Sequence, residues 1–174
     1  VESMRSQQNE PIADGLALHA IRLIREFLPR AVAEPGDLVG RGQMLIASNM
    51  AGAAFSNAQV GLVHAIAHTV GARYGIHHGL ANSIVMPHVV RFNAAEVAAT
   101  YRPVAAALGV AVDGLADEAC AELVAEGRIV ESLLGVRMPR RPPYRDRDTP
   151  FWQRVVEMLK DPRTWSTLLY LLLM

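Results

Sequence analysis

Apolar residues recur at a spacing near 3.6 up to about residue 135 of this 174-residue chain, and nowhere does a period-two alternation persist. No glycine-rich turn leading from a strand into a helix appears either. That pattern excludes a sheet-based domain and predicts an all-α fold, a helical bundle. At 174 residues the chain can bury a sizeable core.

The individual helices follow from their punctuation. Val1 to Glu10 is polar and short of order-forming signals. Pro11 and Asp14 then start a helix whose apolar stripe is Leu16, Ala20, Leu23, Ile24, Phe27 and Leu28, and Glu34-Pro35-Gly36 stops it. His19 lies at the margin of that stripe and reads as structural. Asp37 reads as the N-cap of a second helix to about Phe55, because its carboxylate can accept from first-turn amides. Ala47, Ala51, Gly52, Ala53 and Ala54 leave that helix little side chain, as close helix packing requires. A third helix is expected over about Val60 to Tyr74, with a turn in Gly71 to Gly79. Leu80 to Phe92 follows, kinked or broken at Pro87. Ala94 to Leu108 and Leu115 to Leu134 complete the set.

Composition changes after residue 137. Met138 to Pro150 holds four of the ten prolines and four arginines, the mark of an extended linker that cannot join a helix. Phe151 to Lys160 is amphipathic, and Trp165 to Met174 is almost wholly apolar. Ten residues are too few to cross a bilayer, which takes about 20. The chain therefore divides into a helical domain over 1–137, a linker over 138–150 and a tail over 151–174. Lys plus Arg and Asp plus Glu balance at 17 each, so bulk charge gives no reason to expect nucleic acid as a partner. The single cysteine, Cys120, reads as a buried helical thiol and fits a reducing, cytoplasmic compartment. Val1 to Pro11 has no signal-peptide pattern, and the missing initiator Met suggests a fragment.

Chemistry belongs to Gly61 to Asn93, GLVHAIAHTVGARYGIHHGLANSIVMPHVVRFN, which carries five of the six histidines: His64, His68, His77, His78 and His88. Imidazole is the commonest metal ligand among side chains. His64 and His68 stand at i and i+4 and share a helix face, with Cβ atoms about 5–6 Å apart. His78, beyond a glycine-bearing turn, can fold back to the same wall. Three imidazoles there can hold a divalent ion, and the competing reading is helix capping and core packing.

The same stretch resembles the signature of the iron-containing (group III) alcohol dehydrogenases, in which a glycine-led helix bears H-x-x-x-H and a further histidine precedes glycine ten residues later. The similarity extends upstream through PIADGLALHAIRLIREFLPRAV and MLIASNMAGAAFSNAQVG and downstream to about Pro139, about four fifths of the chain. The family fold is a dinucleotide-binding α/β domain followed by an all-helical metal-binding domain, and this chain resembles the second. The resemblance implies that His64 and His78 are metal ligands. It places His68 beside the nicotinamide, as the catalytic and cofactor-binding residue, rather than on the metal.

The family's other two ligands, an aspartate and a histidine four residues later, belong to a segment that ends where Val1-Glu2-Ser3 begins. Asp14 and His19 are five apart and align with the helix after it, so they are not substitutes. His77 stands where the family usually has proline. It is expected to loosen the turn that aims His78 or to offer a competing ligand. Asn82 and Asn93 recur in the signature and read as fastening turns and helix ends, and His88 reads as structural. The implied reaction is hydride transfer between a small alcohol or aldehyde and NAD or NADP. A divalent ion, Fe2+ first and Zn2+ second, lowers the pKa of the substrate hydroxyl, and His68 positions the substrate or relays its proton. The nucleotide would be bound mainly by the N-terminal domain, so this chain is expected to be inactive alone; a homo-oligomer is compatible. The alternative is a non-enzymatic helical module with a vestigial metal site. DPRTWSTLLYLLLM, from Asp161, is similar to the start of the first membrane helix of a bacterial sensor domain. The tail is thus expected either to contact a membrane, as part of an unrelated protein joined here, or to pack on the first domain.

Overall fold

Glu10 adopts an extended backbone and turns its carboxylate onto the amides of Ile12 and Ala13, and Pro11 supplies a first helical residue that needs no amide partner. From that start helix α1 runs Pro11–Ala33 in the computed structural model, which describes residues 1–126. Asp37 caps α2, Leu38–Ala58, by accepting from Val39 N at 3.1 Å and Gly40 N at 3.0 Å, as expected. Its second oxygen meets Arg30 Nη2 at 2.9 Å, which ties the end of α1 to the start of α2. The Gly40 amide and then the Arg30 charge hold the Asp37 carboxyl below the usual carboxylate range.

The remaining helices are α3, Leu62–Tyr74; α4, His78–Val97; α5, Arg102–Ala107; and α6, Asp117–Glu126, with single 3-10 turns at Glu2–Arg5 and Ala98–Tyr101. No strand occurs among the described residues. The linker read at 138–150, the tail at 151–174 and the part of the last predicted helix beyond Glu126 lie outside the described residues.

Three local expectations are corrected. The first ten residues are not featureless: Ser3 and Met4 are buried, and the Glu2 carboxylate accepts from Gly61 N at 3.1 Å. Pro87 does not break α4, which continues ten residues past it. The helix expected over 94–108 is divided: residues 94–97 are the end of α4, Ala98–Tyr101 is a 3-10 turn, and Pro103, which has no amide hydrogen, takes a place in the first turn of a new helix, α5.

The described chain forms two compact units, residues 1–61 with 86–126 and Leu62–Val85. In the first, α1 and α2 form a helical hairpin, α5 packs on α1, and α6 packs on α5 and the turn before it. Its core is built from small side chains, Ala13, Ala17, Ala54, Ala58, Ala105 and Ala121, around Tyr101, Val104 and Cys120. Cys120 is fully buried, as its place on a helix implied. Of the small residues of α2, Ala47 and Ala54 are buried, whereas Gly52 faces open space and its missing side chain is not required for packing. Arg102 fastens the loop before α6, donating to Asp117 Oδ1 at 2.6 Å and to the carbonyls of Val112 and Leu115 at 2.8 and 2.6 Å. The second unit holds α3, the turn after it and the first two turns of α4.

Candidate metal centre

Helix α3 presents His64 and His68 one turn apart, and Val63, Ala65, Ala67 and Val70 between and beside them are buried. After Tyr74 the chain reverses within three residues. Gly75 takes φ of 65°, a backbone conformation that a Cβ would strain, and this lets the turn be tight. The Ile76 carbonyl then comes back against α3, where a Cβ on Gly71 would lie 3.2 Å from it. His77 sits at the N-cap of α4, its carbonyl accepting from Ala81 N at 3.0 Å. His78 is the first residue of α4 and is thereby returned to the face that carries His64 and His68.

The three rings gather in one place. Centroids are 5.5 Å apart for His64 and His68, 5.3 Å for His64 and His78, and 5.2 Å for His68 and His78. One ring nitrogen from each lies within 4.8 Å of those of the other two, with His64 half-buried and the other pair exposed. A tetrahedral ion with bonds of about 2.1 Å holds its ligand atoms about 3.4 Å apart. Small side-chain rotations close that gap, and the all-nitrogen donor set suits zinc and iron. The residues present therefore fit a divalent ion.

Asn82, one turn into α4 from His78, lies beside two of the three rings. Its amide nitrogen lies 2.9 Å from His78 Nε2 and 3.4 Å from His64 Nε2. The i+4 spacing from His78 was visible in the sequence and places the two on one helix face. The contact with His78 joins Asn82 to the first residue of α4, in keeping with a residue that fastens a helix end. His77 is not part of the three-histidine group, and neither are His19, exposed on α1, and His88. Burial, and then the Arg91 charge, hold the His88 imidazole below its usual range.

The described residues form an all-helical domain in which three histidines on a helix–turn–helix could hold a metal ion, and comparison with known proteins gives its family. The Fe-containing alcohol dehydrogenase family, C-terminal part, matches residues 1–139, and the chain belongs to that family. It is 42% identical over 122 residues to the NAD-dependent methanol dehydrogenase of Bacillus methanolicus, covering 70% of this chain and 32% of that protein. Against the 1,3-propanediol dehydrogenase of Citrobacter freundii it is 42% identical over 123 residues, 71% of this chain and 32% of that one. The solved alcohol dehydrogenase from Oenococcus oeni superposes with a TM-score of 0.78 at 30% identity, covering 96% of this chain and 44% of that structure. The chain thus spans about a third of the length of the curated relatives it matches. Among the described residues no helix is long and apolar enough to cross a membrane.

Proposed function

We propose that this chain supplies the metal-binding half of an NAD(P)-linked oxidoreductase that interconverts small alcohols with aldehydes or ketones in the cytoplasm. The observation that carries the reading is the convergence of His64, His68 and His78 on one point of a helix–turn–helix. Family membership supports it, as do relatives named as methanol and 1,3-propanediol dehydrogenases. His64 and His78 hold the divalent ion, Fe2+ in the first instance and Zn2+ as the second choice. When bound, the ion supplies Lewis acidity that eases loss of the substrate hydroxyl proton.

His68 stands on the same wall one turn from His64 and is exposed. In oxidation a hydride leaves the alcohol carbon for the nicotinamide and a proton leaves the oxygen. An imidazole at that position is suited to take the proton or to hold the hydroxyl in line. The nucleotide is bound mainly by residues outside this stretch, since the described residues contain no strand and so no strand–turn–helix phosphate cradle.

The test has two parts. Calorimetric titration of the chain with zinc and ferrous ions should show uptake that His64→Ala and His78→Ala abolish and His68→Ala preserves. Joined behind the nucleotide-binding portion of a family relative, the chain should generate reduced nicotinamide from small primary alcohols, with His68→Ala losing turnover while keeping its metal. Loss of the ion in His68→Ala as complete as in His64→Ala would make that residue a ligand and overturn its assigned role.

A further inference from the structure

We propose that the side chain of Asn82 competes with the divalent ion for His64 and His78, as an affinity-lowering plug that must turn away for an ion to bind. The proposal rests on reading those two histidines as the ligands.

Position decides the competition. The Asn82 amide nitrogen lies 2.9 Å from His78 Nε2 and 3.4 Å from His64 Nε2. It carries hydrogens and no usable lone pair, so a ring nitrogen that bonds to it accepts. A hydrogen donated across the shorter contact stands about 1.9 Å from its acceptor along the lone pair. A zinc ion on imidazole stands about 2.1 Å out along the same direction. One lone pair cannot serve both. With the amide turned end for end, its oxygen would draw an N–H from the same two ring atoms, and a protonated Nε2 cannot ligate either. The contact therefore bars an ion from Nε2 whichever way the amide faces.

What holds the amide in place is also what an ion removes. The amide oxygen is buried with no hydrogen-bond partner among the described residues, so the orientation depends on the two ring contacts. His78 and Asn82 are four residues apart on α4, which sets the closer contact, while the His64 contact spans the turn between α3 and α4. An ion that takes both lone pairs leaves the amide nothing to donate to there. The half-buried side chain can then rotate toward water, where both of its ends find partners. Ion uptake and rotation of Asn82 are thereby one event, and the strength of the two hydrogen bonds is subtracted from the ion's affinity.

Zinc alone is the probe, added to the full chain and followed by calorimetry. Asn82→Ala removes the competing hydrogens and suits a helix interior. It should bind zinc about tenfold more tightly than the wild type, the equivalent of about 1.4 kcal/mol of hydrogen bonding. Adding His64→Ala or His78→Ala to that variant should abolish the gain, and a gain that survived either change would overturn the proposal. An unchanged or lowered affinity in Asn82→Ala would overturn it too, and a lowered one would mean that the ion sits on Nδ1 with the amide supporting the rings from behind. The side-chain amide resonances of wild-type Asn82 give a second measurement that needs no variant to fold. Their hydrogens should exchange slowly with water before zinc is added and rapidly afterwards, and protection that persists in the zinc-loaded chain would also sink the idea. Zinc uptake by neither the wild type nor Asn82→Ala would remove the ligand reading and the competition together. Wild-type uptake that depends on His64 and His78, with no gain in Asn82→Ala, would remove the competition alone.

Discussion

The carbonyl of Ile76 lies so close to Gly71 that a Cβ there would stand 3.2 Å from the oxygen. The contact seats the turn that delivers His78 against the helix that carries His64 and His68. A side chain at 71 acts on the site by moving that turn. Gly71→Ala gains helix propensity of about 1 kcal/mol, which offsets the few tenths of an ångström the carbonyl must yield. Its thermal midpoint should stay near that of the wild type while zinc affinity falls. Gly71→Val, with two more carbons, should lower both, and calorimetry together with a melting curve separates the two effects.

The 174-residue chain by itself is expected to give no turnover with NAD(P) and a panel of primary alcohols, diols and aldehydes, with iron or zinc supplied. Holding nicotinamide and substrate at about 3–3.5 Å is worth roughly 7–11 kcal/mol of the barrier, and the described helices offer no nucleotide cradle. Absorbance of reduced nicotinamide is the readout. Turnover that disappears in His64→Ala would mean that a second copy of the chain completes the site.

Acid should erase the contribution of the Asp37 cap. The carboxyl has a lower pKa folded than unfolded, chiefly because Gly40 N–H donates to it. Its stabilisation is therefore fully present above the unfolded value of 3.8 and is lost as pH falls through the folded one. The difference in urea midpoint between wild type and Asp37→Ala should be constant near neutrality and shrink toward nothing in strong acid. Gly40→Ala should mimic part of the loss at neutral pH, since its Cβ would come within 2.7 Å of an Asp37 carboxylate oxygen.

Tyr101→Phe should destabilise the first unit by about 1–3 kcal/mol. The ring is 1% exposed, and its hydroxyl interacts with the side chains of Asn93 and Arg5. Removing the oxygen leaves those groups short of a partner while the apolar contacts persist. Urea denaturation monitored by circular dichroism measures the difference.

How much of this was legible in the sequence depended on whether a signal was local. Asp37 as a cap, the first three helices and the i, i+4 pairing of His64 with His68 all follow from residues within one turn of each other. The core stripe of α1 was half seen. Ala20 and Leu23 are buried as expected, but Ala13, Ala17 and Ile21 complete the buried line, and alanines carry too little hydropathy to stand out. The order of the first ten residues depends on Glu2 meeting Gly61, 59 positions away, which no window reveals. Pro103 carried a readable break that apolar spacing overrode. For Asn82 the i+4 relation to His78 was legible, and the contact with His64 was not. Only the fold of α3 against α4 puts His64 on its other side.

The alanines buried between α1 and α2 give that hairpin an unusual kind of economy. A methyl group has no rotamers to freeze, so ordering it costs no side-chain entropy, and each contact gains little from water exclusion. The two backbones are held by shape more than by apolar area. Such a seam has little to lose by truncation and is vulnerable to growth instead: at Ala13 or Ala58, both 0% exposed, even two added carbons must push one helix off the other.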